Sequence, residues 1–357
     1  MTLQWADFPS GEVGLYGSQA ERMLDGTPWL SVNTTPTSNS IANDPDPAIG
    51  SAGRVLRHGN GSAGAVNSTR LALTDPDNIV GVCHNFYVAG FSSGVQSFLS
   101  FATTGNTIRY EIRVRPNGGL EITRTGSQTV VATADFPVIR ANSWNLLETL
   151  VNVATGDIEI RRNGITVLTY TDSTPFGGTI GIVGFPNGNP GGGGSTCFSK
   201  NIVVYNGQGS EVNSFQGNVI VTDLRPISDV TLGGWTTSSG TEGWSLLDES
   251  PPNDADYIEA DDTPPAPAEM EFSNLPADVT SVRGLLSIVR SFKTDGGDGN
   301  LQISLSPNGV DYDLGADNPV TTAATYRFDV SQISPVTAVP WSPAEVNSIR
   351  QRYDRTV

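Results

Sequence analysis

Cysteine is nearly missing: Cys83 and Cys197 are the only two in 357 residues. Two are too few to staple a disulfide scaffold, and a chain that matures in a reducing cytosol keeps both as thiols. Basic residues are scarce as well. Lys and Arg number 20 against 37 Asp and Glu, a formal net charge of −17, which opposes contact with phosphate backbones or anionic lipid and excludes nucleic acid as a natural partner. Long apolar runs are lacking, since no stretch approaches the roughly 18–20 residues that cross a bilayer. The opening "MTLQWADFPSGEVG" has neither a basic region nor an apolar one after it, so no signal peptide and no membrane insertion are expected.

What is abundant is turn chemistry. With 40 Gly, 23 Pro and only 16% charged residues, the composition is that of all-β domains with many short strands. The length suits two domains, at roughly 100–200 residues each. Strand-like runs follow one another: "RVLRH", "STRLAL", "NIVGVCHNFYVAGF", "QSFLSFA", "TIRYEIRVR", "LEITRT" and "TVVATA". Asn117-Gly118-Gly119 lies between two alternating segments and predicts a hairpin, because Asn and Gly tolerate positive φ. In "WNLLETLVNVATGDIEIRRNGITVL" (144–168), Leu146, Glu148, Leu150 and Asn152 share one pleat face while Leu147, Thr149, Val151 and Val153 share the other. "ATGD" and Asn163-Gly164 turn the chain twice, which predicts an antiparallel meander.

"NGNPGGGGST" (187–196) is too rich in glycine for regular structure. "CFSKNIVVYN" resumes strand character and "NVIVTDLRP" ends it at Pro226, so domains of 1–227 and 228–357 are expected. Residues 1–227 hold 13 basic and 17 acidic side chains, and 228–357 hold 7 and 20, so the second half carries most of the negative charge. It repeats the β pattern in "AEMEFSNL", "VRGLLSIVRSFK", "LQISLSPNG" and "ATYRFDVS". One short helix is predicted near 343–350, where Ser342 caps, Pro343 opens and Glu345 closes a reciprocal capping box.

The 144–168 segment resembles the central strands of the laminin-G-like, concanavalin-A-like jelly roll, in which a Trp opens one strand and an Asn-Gly turn joins the next two. Its continuation, "KNIVVYNGQGSEVNSFQGNVIVTDLRPISD", "GWTTSSGTEGWSLLDESPPNDADYIEAD" and "PWSPAEVNSI", is similar in order to a group of tailed-bacteriophage virion proteins: a jelly roll, then a second β domain that begins with a Trp-containing segment and a "DxDYI" run. The resemblance runs from about Phe8 to Ile349. It implies an all-β chain, a laminin-G/concanavalin-A-like jelly-roll sandwich followed by a smaller β-sandwich, that works as an oligomeric, non-enzymatic virion component among other virion proteins. The implied placement is tail-associated, with capsid decoration or a head fibre as the alternative, assembled in the host cytoplasm. The sequence departs from the group at Lys200-Asn201, where relatives carry acidic residues, so a metal site is not inherited there.

The candidate chemistry is thin. Glycan-cleaving relatives of the fold use Glu-x-Asp-x-x-Glu on a strand; Asp157-Ile158-Glu159 comes nearest, but Arg162 stands where the third carboxylate belongs. These acids are expected to dress the outer face of a hairpin, with Ile158 and Ile160 buried and the sandwich's acidic groups pointing outward. Ser92 in "GFSSG" lacks the strand–turn–helix setting of a nucleophile elbow and has only His58 and His84 to draw on. No cofactor is expected beyond a candidate structural calcium, for which "DPDP" (44–47), 253–262 and "DGGDGN" (295–300) are the acidic loops and Asp295 with Asp298 the first pair to test. Trp29 and Trp235, in polar surroundings, are candidates to stack on a host surface glycan. Trp5, Trp244 and Trp341 can pack or stack, and Trp144 belongs in the core.

Overall fold

The computed structural model describes residues 3–7, 14–15, 29–32, 40–43, 54–58, 67–91, 93–124, 129–187, 196–208, 214–240, 242–248, 254–261 and 263–356. It is all-β, and it divides into two units after Val221.

In the first unit the strands are β1 (Leu3–Asp7), β2 (Gly14–Leu15), β3 (Trp29–Val32), β4 (Ser40–Asn43), β5 (Arg54–His58), β6 (Asn67–Asp77), β7 (Ile79–Val88), β8 (Gln96–Ala102), β9 (Ile108–Val114), β10 (Leu120–Arg124), β11 (Thr129–Ala134), β12 (Trp144–Asn152), β13 (Asp157–Arg162), β14 (Ile165–Thr171), β15 (Ile180–Asn187) and β16 (Cys197–Asn206). Among the described residues they form two antiparallel sheets. One has the order β14-β13-β12-β7-β16-β5-β4-β2, with β1 also paired to β16; the other runs β11-β10-β9-β8-β15-β6-β3. This is a jelly-roll sandwich whose crossovers carry the chain repeatedly from sheet to sheet.

Period-two alternation places one face of each sheet between the layers. Leu147 and Val151 of β12, Ile158 and Ile160 of β13, and Val80 and Val82 of β7 are buried there. Phe86 of β7 stacks on Phe98 of β8 at 4.6 Å between ring centroids, and His84 lies 5.8 Å from Phe185 of β15. His84 is itself fully buried and bonds Ser199 Oγ through Nδ1 at 3.2 Å.

The other face of the larger sheet is also covered. Residues 218–225 of "NVIVTDLRP", read from the sequence as strand, form no ladder, and 214–221 cross this face instead. Val219 and Val221 pack on Cys83, Val203 and Tyr205. Gly217 donates its N–H to Glu148 Oε1 at 2.7 Å and accepts the Cys83 thiol at 3.4 Å. At Gly81, a Cβ would come within 2.1 Å of the Tyr205 ring, so only glycine lets Tyr205 lie flat against β7. A bulge between Lys200 and Val203 puts Asn201 at φ 50° and aims its Oδ1 at the Val221 N–H, 3.3 Å away.

The second unit begins at Thr222, and the expected boundary at 227/228 moves back. The reason is β17 (Pro226–Thr231), which pairs with a strand of the second unit. With β20 (Ala268–Phe272), β22 (Asn300–Leu305), β23 (Tyr312–Pro319) and β25 (Arg350–Thr356) it builds a sheet of order β17-β20-β25-β22-β23. Two short pairs accompany it, β18 (Thr236–Thr237) with β19 (Ile258–Glu259), and β21 (Leu285–Ser291) with β24 (Thr325–Ser331). "VRGLLSIVRSFK" is therefore a strand, but it pairs with β24 and not with the following β22 in the hairpin that its sequence setting suggests. Met270, Ile303, Trp341 and Tyr353 centre the core, with Leu285 and Val289 packed against it.

The helix α1 is shorter than expected, Pro343–Val346 instead of 343–350. Its capping box forms as predicted: Ser342 Oγ accepts from Glu345 N–H at 3.2 Å, and Glu345 Oε2 accepts from Ser342 N–H at 2.9 Å. It stops after one turn because Arg350 exchanges backbone hydrogen bonds with Ser306 and enters the sheet.

Two outcomes follow from this packing. Gly81→Ala should cost about 1–3 kcal/mol in denaturant unfolding, the range for overfilling a packed site, and an unchanged midpoint would contradict the Tyr205 contact. Cys83 and Cys197 are both free and buried; burial first, and then the Glu148 charge, push the Cys83 thiol up to about 12, and burial raises Cys197 as well. Neither should react with a thiol reagent in the native protein, and both should react in denaturant.

Candidate functional site

The smaller sheet of the first unit presents a polar face. In β9 the residues Tyr110 and Ile112 point toward the other sheet, and Tyr110 donates its hydroxyl to Asp172 Oδ2, just beyond β14, at 3.0 Å. Alternation sends Glu111 and Arg113 the opposite way. The ladder sets Ser100 and Thr123 beside Glu111, and Ser97 and Glu121 beside Arg113. All six side chains are buried.

A charge buried without a partner is expensive, so the pairing decides what this face can do. Arg113 lies between two carboxylates: Nη2 and Nε reach Glu111 Oε2 at 2.5 and 3.1 Å, and Nη1 lies 3.8 Å from Glu121 Oε1. Burial raises the Glu121 carboxyl above its usual range, with Arg113 pulling it back in part. Two carboxylates that share one guanidinium are held apart from solvent and from each other. A general acid and base need instead a free proton path and room for a sugar between them.

Glu111, Glu121 and Glu148 do turn to the outer faces of the sheets, as expected, but not as exposed dressing. Glu111, Glu121, Glu148 and Asp172 are all buried, and each is accompanied: the first two by Arg113, Glu148 by the Gly217 N–H, and Asp172 by Tyr110 and by Arg124 Nε at 3.2 Å. Alternation identifies the face a residue occupies. It does not reveal that a distant segment will cover that face and supply the countercharge.

The residues singled out from the sequence are dispersed. Asp157 is exposed and accepts from the Thr155 and Thr171 hydroxyls at 2.6 and 2.7 Å, bonds that hold its carboxyl below the usual range. Glu159 accepts from Arg161 Nε at 2.8 Å and from Thr166 Oγ1 at 2.6 Å. Both belong to the hairpin surface, opposite the buried Ile158 and Ile160. Ser92, "DPDP" and the side chains of Trp5, Trp29 and His58 lie outside the described residues; the Trp29 backbone is in β3, opposite Leu71. Trp235 is partly buried against the second unit's core, and its indole Nε1 is buried. Trp244 packs there too, and Trp341 is a core residue whose Nε1 donates to Ser331 O at 3.2 Å. Asp295 and Asp298 are exposed; Asp295 accepts from the Gly297 N–H at 3.1 Å, a local turn. No group of three or more His, Cys, Asp or Glu suited to a metal occurs among the described residues.

Trp144 sits on the outer face of the larger sheet in an aromatic row with Tyr87 and Phe198. The fully buried Lys200 places its ammonium 4.3 Å from the Trp144 ring centroid.

Sequence reading missed one arrangement at an end of the first sandwich. Asn145, fully buried, clamps the preceding loop: its Oδ1 accepts from Arg140 N–H at 3.0 Å, while its Nδ2 donates to Arg140 O at 3.0 Å and Ser143 O at 2.8 Å. On the same pleat face Leu147 pairs with Arg162. Asn145 thus holds the Arg140 backbone, and Arg162 stands beside the next residue along the same pleat face. Burial, and then the Arg140 charge, lower the Arg162 guanidinium below its usual value. Phe136 on the same loop and Ile165 opposite Arg162 are exposed.

No family model and no curated protein matches the chain. Among solved structures it is similar to a sialidase, at 11% identity over 48% of this chain and 16% of that one, with a TM-score of 0.37. It is also similar to a cellulose-induced protein, at 14% identity over 49% of this chain and 89% of that one, TM-score 0.40, and to an alginate lyase of polysaccharide lyase family 7, at 14% identity over 56% and 98%, TM-score 0.37. The chain thus spans about a sixth of the sialidase's length, and no activity is carried over from these neighbours.

The Arg113 arrangement gives a pH-dependent outcome. Arg113→Leu leaves Glu111 and Glu121 buried without a countercharge, at a cost of about 3–5 kcal/mol near neutral pH. A buried carboxyl with a raised pKa stabilises the fold while protonated and loses that contribution as pH rises through the folded value. The gap in melting temperature between variant and wild type should therefore narrow from about pH 7 to about pH 5; a gap that widens on acidification would refute the pairing.

Proposed function

We propose that the chain is a non-enzymatic structural component of a tailed-phage virion, oligomeric and tail-associated, acting by packing and adhesion through its sandwich surfaces. The virion assignment rests on the order of sequence segments given above. The observation that supports a non-catalytic reading is the commitment of the buried carboxylates: each of Glu111, Glu121, Glu148 and Asp172 is held by a partner of this chain. Such groups rigidify the sandwich, and copies in a symmetric particle multiply weak contacts through effective concentration.

A second reading has its own observation. The sandwich end that carries Arg140 and Arg162 also exposes Phe136, and Phe91 lies 3.0 Å from where a Gly118 Cβ would stand, beside Ile139 of the same loop. Exposed rings beside cations suit saccharide faces, so a glycan-binding, host-attachment role fits this end of the molecule.

The experiment is to locate the chain in an image of the intact particle and to assay purified protein for reducing-end release from host polysaccharide. Density on the tail with no release supports the proposal. Density on the capsid surface moves the role to decoration, absence from the particle overturns the virion assignment, and release that is lost in Glu111→Gln or Glu121→Gln overturns the non-enzymatic reading.

A further inference from the structure

In a chain of net charge −17, an arginine without an acidic neighbour stands out. Within the first unit Arg113, Arg115, Arg124 and Arg161 each lie on a carboxylate. Arg109 lies over the Phe176 ring, and Arg70 bonds Asn106. Arg140 and Arg162 differ: neither has an acidic partner among the described residues, and both lie near Asn145, which bonds the Arg140 backbone and shares a pleat face with Leu147, the ladder partner of Arg162.

Two costs accumulate here. Like charges are brought together, and Arg162 Nε is buried with no hydrogen-bond acceptor. A buried donor left unmet is destabilising and calls for an explanation, commonly a bound ion or ligand. The loop is also held in place. Asn145 makes three hydrogen bonds to Arg140 and Ser143 and a fourth to Phe86 O at 3.3 Å, and Asn142, at φ 54°, donates to Val88 O at 2.8 Å. Arg140 therefore leaves the fold from a fixed backbone, and less order is lost on binding.

We propose that Arg140 and Arg162 form an anion-binding site at the end of the first sandwich, and that its ligand is the carboxylate of an acidic saccharide. Two guanidinium forks match an oxyanion with several charge-assisted hydrogen bonds. The overall negative field disfavours long polyanions and leaves this cationic spot to short acidic saccharides. Phe136, 55% exposed, and Ile165, 70% exposed, offer apolar ground beside the charge for a pyranose face. The inference deepens the glycan-binding reading and supplies its substrate class.

The test is titration calorimetry of the full chain with oligogalacturonate, its methyl ester, inorganic sulfate and a Glu-rich peptide, alongside melting curves. Oligogalacturonate should bind the wild type, the methyl ester should not, and Arg140→Gln and Arg162→Gln should each weaken binding by about tenfold or more. Without ligand, Arg140→Gln should melt no lower than wild type, because it relieves repulsion. Oligogalacturonate should raise the wild-type midpoint and leave that of the double variant unmoved. A destabilised Arg140→Gln, or oligogalacturonate binding that survives in both variants, overturns this site while leaving glycan attachment standing. Loss of all saccharide binding in the wild type overturns both. Tighter binding of the peptide overturns the saccharide assignment and makes the occupant a protein.

Discussion

The aromatic contact between the two sheets of the first unit is the constraint on which the rest is built. Phe86 against Phe98, with His84 beside Phe185, fixes which face of each sheet is internal. Because side chains alternate with a period of two, that choice also assigns every remaining residue to an outer face. Leu147 and Val151 turn inward, so Glu148 and Trp144 must turn outward. Ile112 turns inward, so Glu111 and Arg113 must turn outward. The positions of the charges follow from the packing of the rings.

Those outer faces are then closed rather than left wet, and here charge partners matter more than apolar area. On the larger sheet the 214–221 segment brings Val219 and Val221 as cover and the Gly217 N–H as a donor for Glu148. On the smaller sheet Arg113 is both interior and countercharge for two glutamates. In each case a buried carboxylate is tolerable because its partner arrives with it. Carboxylates committed in this way contribute fixed geometry to the sandwich.

The Arg140 and Arg162 pair is the exception that gains meaning from the rule. Elsewhere among the described residues of the unit the scarce cations meet acids, rings or, for Arg70, the Asn106 amide. At this sandwich end two are gathered, one donor is left unmet, and the loop beneath is braced by a buried asparagine. The second unit follows the matched pattern: Arg350 spans Glu269 and Glu271, and Arg290 grips Asp254 with two bonds of 2.6 Å.

The sequence by itself determined the all-β class, the meander of residues 144–168 with Ile158 and Ile160 inward, the capping box at Ser342 and Glu345, and the strand character of Leu285–Ser291. Each of these is a local matter of alternation, turn residues or caps. It overextended the helix and the strand before Pro226, because what ended the one and captured the other was pairing with residues far along the chain. The burial of Glu111, Glu121, Glu148 and Asp172 and the meeting of Arg140 with Arg162 were decided only by the tertiary structure. Residues 22 positions apart come near one asparagine because β12 and β13 fold back on each other in a particular register. No spacing rule in a single strand carries that information, since charge pairing across a sheet is a property of the ladder and not of the segment.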